Sequence, residues 1–161
     1  MVKIDSIDRA ILRELQVDCS RSIAEIGAVV GLSQSPCWKR IRRLEDAGVI
    51  KARVALVDPA RVGVGTAVFA TIRTNQHSEE WLERFAEAVA RIPEVVEFHR
   101  MSGDVDYLLK ILVADIADYD RIYKRLIRSA ELTDVSSSFS MEPIKVTTAV
   151  PIPEGDSSAG T

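Results

Sequence analysis

The spacing of apolar positions divides the chain into a helical first third and a longer region of mixed strands and helices. In the first third, Ile7, Ile11 and Leu15 recur at fourfold spacing, which predicts an amphipathic helix over residues 6–16. A helix of this length is marginal on its own in water, so its apolar stripe has to pack against neighbouring segments.

A second helix is predicted from Ser22 to about Val30, followed by a tight turn. Ser22 and Glu25 have the spacing of a capping box, in which each side chain accepts a hydrogen bond from the other residue's backbone amide. Gly31 suits the left-handed conformation that such a turn demands, and Leu32 then places an apolar side chain between two helices.

A third helix is predicted from its N-cap Ser33 to Gly48, and its two sides differ. At about 100° per residue, Cys37, Ile41 and Leu44 share one side, so Cys37 is interpreted as a core residue. The other side is mostly basic or small and polar, and carries Ser35, Lys39, Arg42, Arg43 and Asp46.

After residue 65 a strand–helix–strand pattern occurs twice. The predicted strands are 66–74, 95–101, 106–113 and 135–144, and the predicted helices are 79–91 and 116–129. Such a pair of units indicates a ferredoxin-like βαββαβ domain, with a four-stranded antiparallel sheet and both helices on one face. The predicted fold class is therefore α+β, a winged helix-turn-helix domain followed by a ferredoxin-like domain.

The helix-free face of this sheet is expected to bind a second copy of the chain. Both faces of the strands look apolar, and an uncovered apolar sheet face favours a homodimer packed sheet to sheet. Trp38 and Trp81 are both interpreted mainly as packing residues.

The predicted organisation has four parts. Residues 1–57 form the helical domain, ending in a connector strand over 50–57, where apolar and basic or small residues alternate loosely. Residues 58–64 form a linker, and 65–150 form the sheet domain. Residues 151–161, rich in Pro, Gly and Ser, are expected to be a flexible, dispensable tail.

The net charge of −3 is unevenly distributed. Residues 1–57 contain ten Lys and Arg against seven Asp and Glu, whereas the rest of the chain contains eleven against seventeen. Because DNA binding draws on neutralised phosphates, only the first third suits a nucleic acid.

The chain lacks the residues that several classes of protein need. Cys19 and Cys37 form no CxxC pair, and His77 and His99 are isolated, so neither a metal site nor a catalytic triad can be assembled. We expect no cofactor and no enzymatic activity, although a small catalytic sheet domain stays a third hypothesis. With no apolar stretch long enough for a bilayer and no secretory signal, we expect a cytoplasmic protein without a membrane partner.

The second and third helices predict a helix-turn-helix whose last helix enters the major groove of double-stranded DNA. The alternative is a charged helix that is merely solvated, but small polar residues at its start favour DNA. The predicted base-edge contacts are Gln34, Ser35 and Lys39; the predicted phosphate contacts are Arg40, Arg42 and Arg43, with Arg21 and Ser22 at the start of the second helix.

A polar cluster from Ser102 to Tyr107 separates the two strand–helix–strand units. Gly103 lets backbone amides approach a ligand, and the neighbouring carboxylates suit an ammonium group, which together describe an amino acid. An ordinary hairpin turn explains the same residues. Ser136, Ser137 and Ser138 form a second polar patch, for which a solvated strand edge is the alternative.

Three segments of the chain resemble the Lrp/AsnC family, the feast/famine regulators. They are SPCWKRIRRLEDAGVI at 35–50, GDVDYLL at 103–109 and SSSFSMEPIK at 136–145, and the resemblance extends from Ile4 to about Ile152. It implies a DNA-binding transcriptional regulator that forms dimers, commonly joined into octamers.

The resemblance also implies particular site residues. It places Ser33, Ser35 and Pro36 at the start of the groove-reading helix. It places an amino-acid effector at a junction between dimers, near Gly103, Asp104, Asp106 and Tyr107; Ser102, Ser136 and Ser138 complete the candidate set. The pairing of PCWKR with SSFSME resembles the DecR-type branch linked to cysteine detoxification, which makes cysteine a candidate effector. The alternative is a nucleoid-organising DNA-binding protein without a ligand.

Overall fold

The computed structural model describes residues 2–129 and 131–154, which divide into two compact units. Residues 2–55 and 145–154 belong to the first unit, and residues 56–144 to the second. Both ends of the described chain therefore contribute to the same unit, an arrangement that differs from the predicted boundaries at 57, 65 and 150.

The first unit is built from the three predicted helices, α1 (Ser6–Val17), α2 (Ile23–Val29) and α3 (Gln34–Asp46). Its core consists of Ile11, Ile26, Cys37 and Ile41, each at most 1% exposed. Cys37 is thus a core residue, as predicted, and burial raises the pKa of its thiol. Since the thiolate is the reactive form, this position disfavours thiol chemistry.

The turn between α2 and α3 depends on two glycines. Gly31 has φ of 72°, the left-handed conformation predicted for it. Gly27 was not singled out by the sequence pattern, yet a Cβ there would lie 2.7 Å from the carbonyl oxygen of Leu32. The Leu32 amide donates to the Gly27 carbonyl at 2.8 Å, so this close approach holds the turn against α2.

The second unit has the predicted βαββαβ order. A short 3-10 helix (Ala60–Val62) precedes six elements: β1 (Thr66–Arg73), α4 (Glu79–Ala90), β2 (Val95–Arg100), β3 (Tyr107–Val113), α5 (Ile116–Ser129) and β4 (Asp134–Phe139). The strands pair antiparallel in the order β2-β3-β1-β4. The ferredoxin-like fold is confirmed, although β4 ends five residues before the predicted limit of 144.

The core of the second unit lies between the sheet and its two helices. Val68, Ile72 and Leu109 from the sheet and Phe85 and Ile122 from the helices are fully buried. Trp81, expected to pack only partly, is 6% exposed and stacks on Phe85 with ring centroids 5.0 Å apart.

The helix-free face of the sheet is less apolar than the sequence suggested. Phe69 is 38% exposed there, and Lys110 on β3 donates to Glu97 on β2 at 2.9 Å. Lys110 and His99 lower the pKa of the Glu97 carboxyl. Polar and charged groups therefore alternate with apolar ones across this face.

The structure of the single chain assigns no strand over the predicted connector, residues 50–57. Residues 51–57 are exposed, and no strand is assigned among the described residues of the first unit. A strand needs a neighbour to bond its amides and carbonyls, and loose alternation in sequence does not supply one.

The segment 145–154 contacts α1, and two of its residues, Ile152 and Pro153, belong to the predicted tail. The Gln16 amide nitrogen donates to the Val150 carbonyl at 3.1 Å, and the Val150 amide donates back to Gln16 Oε1 at 2.6 Å. Arg13 donates to the Ile152 carbonyl at 3.2 Å and Arg9 to the Pro153 carbonyl at 3.0 Å. The rest of the predicted tail, 155–161, lies outside the described residues.

Replacing Gln16 with Ala is expected to loosen the first unit. The change removes both hydrogen bonds to Val150, a loss of about 1 kcal/mol, or about fivefold faster exchange of the α1 amides. Hydrogen exchange measured by mass spectrometry would check this. Gln34→Ala, an exposed glutamine of the same unit, is the matched control, and equal exchange in both variants would contradict the role of segment 145–154.

Candidate nucleic-acid interface and ligand-binding loop

The outer side of α3 forms an open concavity of about 660 Å³. It is lined by Val2, Trp38, Lys39, Arg42, Arg43, Asp46 and Ala47. Lys39 makes no ion pair within the described part of the chain, while Arg42 contacts Glu45 at 3.3 Å and Asp46 at 4.0 Å on its own helix. These cations face water, as a groove-reading helix requires.

The first turn of α3 is open to solvent. Ser33 is the N-cap residue, as predicted, but its side chain makes no capping hydrogen bond. Gln34, Ser35 and Pro36 follow it and are exposed. The polar side chains at this end are therefore available to an outside partner.

Arg40 and Arg43 have an internal role that the sequence pattern did not reveal. The side chain of Asp8 on α1 is fully buried, and Arg40 Nη1 donates to its Oδ1 at 2.8 Å while Arg43 donates to its Oδ2. Arg40 also donates to Asp5 at 2.7 Å. Hydrogen bonds to Asp5 and Asp8 raise the pKa of the Arg40 guanidinium, and the two arginines join α3 to α1.

At the start of α2, the predicted capping box is present. The Ser22 hydroxyl accepts from the Glu25 amide at 3.2 Å, and the Glu25 carboxylate accepts from the Ser22 amide at 2.8 Å. The Ser22 hydroxyl and amide lower the pKa of the Glu25 carboxyl. Arg21 binds Glu14 at 2.5 Å. In this conformation, carboxylates occupy the groups that were predicted to contact phosphate.

In the second unit, the loop between β2 and β3 divides into an exposed tip and a fixed base. Ser102, Gly103 and Asp104 form the tip and are exposed, and Gly103 has φ of 117°, which an L side chain rarely adopts. The Met101 amide donates to the Asp106 carbonyl at 2.8 Å and closes the loop.

Asp106 and Tyr107 form the base of this loop. Asp106 Oδ2 accepts from the Thr74 amide at 2.8 Å, which ties the loop to the end of β1. Tyr107 is 3% exposed and packs among Trp81, Phe85 and Phe98, with ring centroids 5.4 to 5.9 Å away. Of the residues predicted to bind the effector, Asp106 and Tyr107 fix the base of the loop, whereas the three tip residues face solvent.

The serine patch on β4 is not adjacent to this loop within one chain. Ser136 lies opposite Thr71, and Ser138 opposite Phe69, on the helix-free face of the sheet. Because β1 lies between β3 and β4, the patch is about two strand spacings, or roughly 10 Å, from β3. Ser137 points to the other face and hydrogen-bonds the Tyr119 hydroxyl.

Two further features limit the chemistry of the described residues. Among residues 2–129 and 131–154, no group of three His, Cys, Asp or Glu side chains is placed to hold a metal ion. The helices described are all too short or too polar to span a membrane.

Both units match models of known domains. Residues 4–45 match the AsnC-type helix-turn-helix domain, and residues 67–150 match the Lrp/AsnC ligand binding domain. The matched ranges cover the helices of the first unit and the sheet of the second, including the loop with Gly103.

Proteins similar to the whole chain are transcriptional regulators. The glutamate uptake regulatory protein of Zymomonas mobilis is 51% identical over 94% of this chain and 93% of its own length. The DNA-binding transcriptional activator DecR of Escherichia coli is 49% identical over 92% of this chain and 99% of its own. The solved structure of the transcriptional regulator NMB0573 from Neisseria meningitidis, in complex with L-Met, superposes with a TM-score of 0.86 at 32% identity, covering 92% of this chain and 97% of that one.

On these grounds the chain belongs to the Lrp/AsnC family, whose members are DNA-binding transcriptional regulators with an amino-acid ligand-binding domain, not enzymes.

Proposed function

We propose that this protein is a sequence-specific transcriptional regulator whose hold on DNA changes when a small amino acid binds at the tip of the β2–β3 loop. The observation that carries this proposal is the division of that loop. Asp106 and Tyr107 fix its base, while Gly103 and Asp104 stay exposed above it. A fixed base with open backbone amides and a free carboxylate suits the carboxylate and ammonium groups of an amino acid.

The identity of the effector is a separate part of the proposal. NMB0573 is described in complex with L-Met, and the DecR-type pairing of PCWKR with SSFSME favours cysteine. The glutamate uptake regulator is as similar to this chain as DecR is, so glutamate joins the candidates. All three share the amino-acid backbone that the loop tip suits.

The proposed working form is a homodimer that assembles further, up to an octamer, in the cytoplasm at the nucleoid. Phe69, at 38% exposed on the helix-free face, supports sheet-to-sheet pairing. Since Ser136 and Ser138 are two strands away from the loop of their own chain, a site that combines them with Gly103 needs residues from a second copy.

On the DNA side, Arg42→Ala is expected to weaken binding both of the duplex upstream of the protein's own gene and of a random duplex, by similar factors. It should also reduce the salt slope of log K by about 0.9, since one phosphate contact is lost. Lys39→Ala is expected to lower the affinity for the preferred duplex more than the affinity for a random duplex. Fluorescence anisotropy at several salt concentrations measures both. Arg61→Ala, a change at an exposed arginine of the second unit, is the control; if Arg42→Ala behaves like it, the proposed interface is wrong.

Effector binding is expected to raise the melting temperature of the protein. A ligand at a hundred times its Kd adds about 2.7 kcal/mol, if it binds only the folded state. A thermal-shift panel of L-cysteine, L-methionine, L-glutamate and L-leucine measures this, and Asp104→Ala should abolish the shift while Glu83→Ala, an exposed carboxylate of α4, should keep it. No shift with any amino acid would favour the nucleoid-organising alternative.

The proposed dimer predicts that Phe69→Asp shifts the protein towards smaller species, because a buried charge would replace an aromatic contact. Sedimentation velocity gives the mass distribution. Ile127→Asp changes a comparably exposed apolar residue of α5, at 44%, and should leave the mass unchanged. Equal masses for Phe69→Asp and the unchanged protein would place the dimer contact elsewhere.

A further inference from the structure

We propose that Trp38 contacts thymine methyl groups in the major groove and so adds an apolar component to sequence recognition. This inference rests on the proposed DNA-binding function and goes beyond it, because Trp38 is not among the polar and basic residues expected to read DNA.

The exposure of Trp38 is the first observation. Trp38 is 48% exposed, whereas Trp81, the other tryptophan of the chain, is 6% exposed. A side chain this large and apolar gains free energy when it leaves water, and α3 leaves nearly half of it uncovered. Packing within the first unit therefore accounts for only about half of this side chain.

The position of Trp38 on α3 is the second observation. At about 100° per residue, Trp38 lies roughly 40° around the helix from Arg42 and about one turn before it. Ser35 lies about one turn before Trp38. The indole is thus a neighbour of a residue expected to reach base edges and of one expected to contact phosphate.

The charged residues around Trp38 indicate which kind of molecule contacts it. Three cations, Lys39, Arg42 and Arg43, and one carboxylate, Asp46, line the same open concavity of about 660 Å³. An apolar protein surface placed there would remove Lys39, which has no ion-pair partner among the described residues, from water without compensation. A DNA duplex offers phosphates to the cations and, in the major groove, one purely apolar group, the C5-methyl of thymine. Double-stranded DNA therefore matches both the positive charge of this concavity and the apolar indole of Trp38.

A double-mutant cycle between protein and DNA tests the contact. The unchanged protein first selects its preferred duplex from a random library, and each thymine is then replaced singly by deoxyuridine, which removes only the methyl group. At one or two positions the unchanged protein should lose about fourfold in affinity, the equivalent of one buried methyl group. Trp38→Ala should bind the thymine duplex more weakly and show no further loss at those positions.

The same cycle separates the possible failures. Val17→Ala, a change at an apolar residue of the first unit that is 82% exposed, should keep the full deoxyuridine effect. If Trp38→Ala also keeps it at every position, the Trp38 contact is overturned while DNA binding stands. If no duplex is selected at all, the proposed DNA-binding function fails, and the Trp38 proposal fails with it.

A measurement on the unchanged protein covers the case in which Trp38→Ala unfolds. Because Trp81 is buried, acrylamide quenching of tryptophan fluorescence reports chiefly on Trp38. The selected duplex should lower the quenching constant at least twofold at a fixed protein concentration. An unchanged quenching constant with saturating duplex would show that Trp38 stays in water and would overturn the contact.

Discussion

The buried carboxylate of Asp8 is the constraint on which the proposed DNA-reading surface depends. Removing an ionised carboxylate from water costs several kcal/mol unless partners replace the lost hydration. Arg40 and Arg43 supply those partners from a helix 32 and 35 residues further along the chain. Together with the apolar side of α3, they set the rotation of this helix about its own axis, so that Ser35, Trp38, Lys39 and Arg42 face outward.

The second unit has a similar constraint at the β2–β3 loop, the proposed ligand site. The Asp106 carboxylate satisfies the Thr74 amide, which lies just past the end of β1, and Tyr107 fills a cluster of aromatic rings under the loop. These contacts leave the three tip residues free without leaving the loop itself loose. A preorganised site loses less entropy when a small ligand binds, which is consistent with the proposed role of this loop.

The chain order adds a feature that is relevant to regulation. Because residues 145–154 return to α1, the second unit is inserted between two segments of the first, and two covalent connections join them. A ligand changes DNA occupancy only if it binds two states of the protein with different affinity. The chain connects the second unit to the DNA-binding helices at two places, one before residue 56 and one after residue 144.

Local signals in the sequence determined the positions of the helices and strands and the buried face of each. Among the described residues, apolar spacing located the five longer helices and the four strands to within a few residues, except the far end of β4. The capping box of Ser22 and Glu25 located the start of α2. These features depend on residues close together in the chain. The basic, small-residue side of α3 and the Gly103 turn were visible for the same reason, although only family resemblance favoured the turn as a ligand site over a plain hairpin.

Contacts between distant residues were decided by the tertiary structure alone. The pairing of Asp8 with Arg40 and Arg43, the tie between Asp106 and Thr74, and the binding of Val150 to Gln16 join positions 32 to 134 residues apart. No spacing rule encodes such pairs, since they depend on how the helices and strands pack. The same reason explains why the single chain forms no strand over 50–57: alternation describes a strand's two faces, but only a neighbouring strand can satisfy its backbone.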